Sequence, residues 1–127
     1  MARRDPVREW LKTLGCPNHV VEGGLAGLVK AWQRTAESVA AGYELGMEDY
    51  LNDMDGRELM HGALAVSGDA DRARYRARIQ AADRKIKARL LPAGPCLWGE
   101  KQAKAHGWTP EINWWYFRAP KNSSFKA

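Results

Sequence analysis

Leu25-Ala26-Gly27-Leu28-Val29-Lys30-Ala31-Trp32-Gln33-Arg34-Thr35-Ala36-Glu37-Ser38-Val39-Ala40 carries the clearest helical periodicity in the chain. Leu25, Leu28, Val29, Trp32, Ala36, Val39 and Ala40, continued by Tyr43, recur three and four positions apart. That spacing gathers them on one broad apolar face and predicts the central helix of the core. Gly23, Gly24 and Gly27 weaken its first turns, since each glycine costs up to about 1 kcal/mol relative to alanine. Alternatively, they let a neighbouring helix come close. Gly42 and Gly46 bracket its end.

Upstream, Asp5-Pro6 opens a first helix. Aspartate is a good N-cap, and proline suits the first helical position because its missing N–H would be unsatisfied there anyway. Val7, Trp10, Leu11 and Leu14 follow at helical spacing, Gly15 stops the helix, and Pro17-Asn18 turns the chain.

Downstream, Met47 to Val66 has two apolar faces out of phase. Met47, Tyr50, Leu51 and Met54 make one; Leu59, Met60, Ala63 and Leu64 make the other. Asp55-Gly56-Arg57-Glu58 lies at the slip and resembles a capping box, which predicts a helix restart at Asp55. Ser67-Gly68-Asp69 is a turn, and Asp69 is expected to cap a basic helix running to about Leu91. Tyr75, Ile79, Ala82, Ile86 and Leu90 form its narrow apolar stripe. Pro92 and Pro95 end it. Asn113 to Arg118 is rich in strand formers.

These elements predict an all-α fold. It is a compact bundle of four to five helices with an irregular, aromatic-rich C-terminal segment that has room for a short strand pair. The expected organisation is one domain over 1–127. Core helices occupy 5–91, an aromatic flap 92–120 and a frayed tail 121–127.

At 127 residues the chain can bury a core without disulfide staples, and two cysteines are too few for a disulfide framework. No run approaches the roughly 18 apolar residues that span a bilayer. Arg3 and Arg4 are followed by no apolar run, so no secretory leader is expected. A cytoplasmic, bacterial-type protein follows, with no membrane partner.

The formal charge of +5 is unevenly laid down. Residues 44–69 hold seven acids against Arg57 alone, while residues 70–127 hold thirteen Lys/Arg against four acids. The acidic middle is expected either to neutralise the basic helix or to form a separate partner surface.

Four sets of residues could carry chemistry. Asp49, Asp53, Arg57 and His61 follow one another at i+4 steps and could line one helix face for acid–base work. The plainer reading is a solvated face with an Asp53–Arg57 ion pair. A calcium loop around Asp53-Met54-Asp55-Gly56 fails. With Gly56 at position six, Leu51 and Gly62 occupy the first and last ligand positions. A magnesium site could use only Asp49 and Asp53. Cys16, His19, Cys96 and His106 are the residue types of a zinc site, though only the first pair has ligand-like spacing; free cysteine is more often a small buried hydrophobe. Arg74, Arg78, Lys85 and Arg89 stripe the basic helix and suit phosphate, with Trp108, Trp114 and Trp115 nearby to stack bases. No nucleic-acid motif accompanies them. The aromatic segment itself either closes the core or forms a partner groove.

No motif names a reaction and none requires a cofactor. The leading expectation is a small non-enzymatic interaction or regulatory protein: an inhibitor, an antitoxin or immunity-like protein, or an adaptor with a protein partner. Two alternatives stand beside it. One is nucleic-acid binding by the helix at 69–91. The other is a small enzyme or ligand-binding domain built on Asp49, Asp53, Arg57 and His61.

Overall fold

A computed structural model describes residues 5–120. The tail expected to fray at 121–127 lies outside the described residues. Five helices, one 3-10 turn and two short strands follow in order: α1 (Pro6–Thr13), α2 (Asn18–Ala40), α3 (Met47–Val66), α4 (Asp69–Lys87), β1 (Leu90–Pro92), α5 (Glu100–His106), the 3-10 turn (Trp114–Tyr116) and β2 (Arg118–Pro120). The fold is all-α, with one antiparallel strand pair.

Helix α1 begins as its sequence dictates. Asp5 Oδ1 accepts the N–H groups of Val7 and Arg8, and Pro6 sits at the first helical position. Val7 and Leu11 are buried. Helix α2 is kinked at Gly24, whose φ of 58° is open to glycine and costly for other residues. The kink frees the Glu22 carbonyl, and Arg8 of α1 fills the gap: its Nε and Nη2 donate to that oxygen at 3.1 and 2.8 Å. Gly24 therefore provides both the bend and the close approach of α1. Gly23 and Gly27 have open space where a side chain would stand.

Beyond the kink, Leu25, Leu28, Val29, Trp32, Ala36 and Val39 are buried, so α2 is the central helix. It packs against α1, α3 and α4. On α4 the buried stripe is Tyr75, Ile79, Ala82 and Ile86.

Four expectations are corrected. Helix α3 is continuous through Asp55-Gly56, with no restart. It packs against α1 and α2 as well as the C-terminal segment, and the Asp55 carboxylate bonds to that segment rather than capping a new turn. The cap of α4 is Gly68, not Asp69; Asp69 lies inside the first turn and pairs with Arg72. Helix α4 ends at Lys87 rather than near Leu91, because Leu90 to Pro92 pairs as a strand with Arg118 to Pro120, Leu91 opposite Ala119. The strand formers at 114–116 make a 3-10 turn, and the strand begins after them. Buried Trp114, Trp115 and Tyr116 then pack against the helices, Trp114 beside Trp32 of α2 and Trp115 beside Arg57 of α3.

Candidate functional site

The i+4 set on α3 does not share one face. Four residues overshoot a turn by roughly 40°, so the set winds around the helix. Asp49 is exposed, Arg57 is buried and His61 is exposed beside the Trp115 ring at 5.5 Å. Asp53 is half-buried and accepts the Tyr43 hydroxyl at 2.7 Å. Burial raises its carboxyl above the usual range; the Tyr43 hydrogen bond opposes the rise and the Asp49 charge adds to it. Arg57 does not pair with Asp53. Its Nε and Nη2 fork onto the two oxygens of Asp83 on α4, each at 3.1 Å. The same Asp83 accepts the indole N–H of Trp32 at 2.8 Å. The guanidinium lies 4.3 Å from the centre of the Trp115 ring. This pair joins α2, α3, α4 and the aromatic segment, and its work is structural.

The charge match therefore runs opposite to expectation. The one base of the acidic helix meets an acid of the basic helix. Asp83 was findable: it stands four residues after Ile79 and three before Ile86, inside the apolar stripe.

Two further carboxylates of α3, Asp55 and Glu58, hold neutral donors. Asp55 Oδ1 accepts the Tyr116 hydroxyl at 2.6 Å and the Trp98 indole N–H at 3.0 Å. Glu58 Oε1 accepts the side-chain amide of Asn113 at 2.8 Å. Burial, then the Asp55 carboxylate, push the Tyr116 phenol far above its ordinary range, so it stays a donor. These bonds clamp the C-terminal segment to α3 and shape a groove of about 720 Å³ beside it.

The groove is bounded by Trp10 and Leu14 of α1, by Asp55, Glu58, Leu59 and Gly62 of α3, by Trp98, by Gln102 and His106 of α5, and by Trp108 and Tyr116. The α3 residues stand at i, i+3, i+4 and i+7, one continuous face. Gly62 allows the close fit of the neighbouring helix: a Cβ there would stand 2.6 Å from Trp10 Cη2. Trp108 is flanked by His106 at 4.5 Å and Tyr116 at 4.2 Å between ring centres. Among the described residues lining the groove, the only acidic or basic charges besides His106 are the two carboxylates; no lysine or arginine reaches it. The sequence signal for this site was the spacing of Asp55, Glu58, Leu59 and Gly62, obscured by reading a helix break at Asp55.

The basic set is placed differently. Arg74, Arg78, Lys85 and Arg89 are all exposed. Arg78 donates to Gln33 and Lys85 pairs with Glu37, both on α2 rather than on the acidic helix. Trp114 and Trp115 are 7% and 1% exposed, so neither can stack a base. Trp108 is half-buried and belongs to the groove.

Cys16, His19, Cys96 and His106 are not brought together as a ligand set. Among the described residues no three His, Cys, Asp or Glu side chains gather where a metal could be held. Cys96 is buried, and His106 is stacked on Trp108.

Comparison with family models, with curated proteins and with solved structures finds no match to this chain.

Proposed function

We propose that this chain is a non-enzymatic recognition protein and that its working surface is the groove between α1, α3 and the aromatic segment. One observation carries the reading: two carboxylates are held in place by neutral donors inside a cleft lined mostly by apolar and aromatic side chains. A volume of about 720 Å³ lies within the range of roughly 300–1,000 Å³ that ligand sites occupy. Trp98 and Leu14 line it while 42% and 54% exposed, offering apolar contact to a protein partner. An inhibitor, an antitoxin or immunity-like protein and an adaptor all need such a surface and no reaction. Cys16 and Cys96 are free thiols, which suits a cytoplasmic setting. No helix among the described residues is long and apolar enough to cross a membrane.

The test is affinity capture with three baits: the native chain, a groove variant with Leu59→Arg, and a variant with Arg74, Arg78, Lys85 and Arg89 changed to glutamate. A protein held by the first and third baits and lost from the second supports the groove. Capture that survives Leu59→Arg removes it.

A second reading has one observation in its favour. Among the described residues no ion pair joins Arg74, Arg76, Arg84 or Arg89 to an acid, so α4 offers exposed positive charge to phosphate. This is nucleic-acid binding through the backbone alone, and its log affinity falls steeply with log salt. Loss of bound nucleic acid from the glutamate bait, with the Leu59→Arg bait unaffected, would put this reading first.

A further inference from the structure

We propose that the groove takes an arginine side chain presented by a protein partner. The inference rests on the groove being the recognition surface and names what that surface recognises.

The molecule contains its own template for such a contact. In the core, Asp83 accepts an indole N–H from Trp32 and the fork of Arg57, whose guanidinium lies over Trp115. In the groove, Asp55 likewise accepts an indole N–H, from Trp98, in a cleft walled by aromatic rings. There the second donor to the carboxylate is the Tyr116 hydroxyl, and it bonds the same oxygen, Oδ1. Asp55 Oδ2 and Glu58 Oε2 accept nothing from the described residues. Carboxylate, indole donor and aromatic wall recur; a guanidinium is the part a partner would add.

Three physical arguments favour that group. The acidic lining complements a cation and repels the anions that a chain of net charge +5 would otherwise attract. A guanidinium is planar, stacks on aromatic rings and offers several donors to carboxylate oxygens. It is also more weakly hydrated than an ammonium, so an apolar cleft desolvates it at lower cost. The exposed Leu14 and Trp98 then contact residues on either side of the arginine, which favours a polypeptide over a free small molecule. Arginine is also among the side chains that dominate interface hot spots.

The experiment is an NMR titration of the full native chain carrying ¹⁵N-labelled tryptophan. The probe is a capped pentapeptide with a central arginine flanked by leucines. The control is its citrulline counterpart, which keeps the shape and loses the charge. Expected is a shift of the Trp98 and Trp108 indole signals by the arginine peptide, with citrulline binding weaker by about tenfold or more. Gln102→Lys adds a positive charge to an exposed lining position. It should weaken the arginine peptide by roughly fivefold more than the citrulline peptide. Equal binding of both peptides at these indoles would overturn arginine recognition while leaving the groove as a binding site. No movement of either indole with either peptide would overturn both readings.

Discussion

Helices α3 and α4 are similar in length and opposite in charge, and the fold uses them in opposite ways. On α3, Asp53, Asp55 and Glu58 each accept a hydrogen bond from a neutral side chain, from Tyr43, from Tyr116 and Trp98, and from Asn113. On α4, Arg74, Arg76 and Arg84 face solvent, as does Arg89 just past its end, and two of the few inward contacts, from Arg78 and Lys85, end on α2. The acidic helix is built into the architecture, and most of the basic one coats it. Counting charges along a sequence shows where they are. It does not show which are engaged, because carboxylates can be satisfied by hydroxyls, indoles and amides that carry no charge.

The largest test of this contrast is at the point where it is broken. Arg57 is the one base of α3 that turns inward, and the half-buried Asp83 is its acid on α4. Arg57→Ala should cost about 3 kcal/mol of stability in a denaturant titration, because it leaves the half-buried Asp83 carboxylate with the Trp32 indole as its donor and no charge partner. Replacing both partners, Arg57→Met with Asp83→Leu, should cost less than the single change. A loss below about 1 kcal/mol for Arg57→Ala would mean that the pair is exposed to water.

The next effect separates two glycines of α3. At Gly62 a Cβ would collide with Trp10, whereas at Gly56 nothing lies within 4 Å. Gly62→Ala should destabilise by about 1–3 kcal/mol through overpacking, partly offset by the better helix propensity of alanine. Gly56→Ala should stabilise by up to about 1 kcal/mol from that propensity alone. Thermal melts of the two variants shifting in the same direction would contradict the packing described for α1 on α3.

The phenols give a pH dependence of known sign. Burial raises Tyr43, Tyr50 and Tyr116 above their ordinary value, and nearby carboxylates add to the rise. The folded state therefore holds these protons more tightly than the unfolded state. Stability is intact below the unfolded value of about 10 and falls as pH climbs past it. Denaturant midpoints measured across the alkaline range should drop, and Tyr43→Phe should flatten the drop. On α4 the effects should be smallest. Lys85 and Glu37 are an exposed pair, so Lys85→Ala should change stability by less than about 0.5 kcal/mol.

Much of this fold was legible. The α2 face from Leu25 to Val39 and the α4 stripe of Tyr75, Ile79, Ala82 and Ile86 are buried as their spacing requires, because helical period reports burial directly. The C-terminal aromatics were legible as a cluster but not as a division of labour. Trp114 and Trp115 close the core, while Trp98 and Trp108 line the groove. Adjacent residues of a 3-10 turn and its flanking loops lack the periodicity that would sort them. The site was harder still. Asp55 resembles a cap until the donors that reach it are known, and those lie 43 and 61 residues away. Arg57 and Asp83 are 26 residues apart and on different helices, so no local pattern links them.

On the proposed reading, the carboxylates of α3, rather than the bases of α4, organise the binding groove. A double-mutant cycle between Asp55→Ala and Tyr116→Phe, read by equilibrium unfolding, tests it most directly. The expected coupling energy is about 1–3 kcal/mol, the range for a hydrogen bond to a charged group in one network. Additive losses, with no coupling between the two positions, would contradict it.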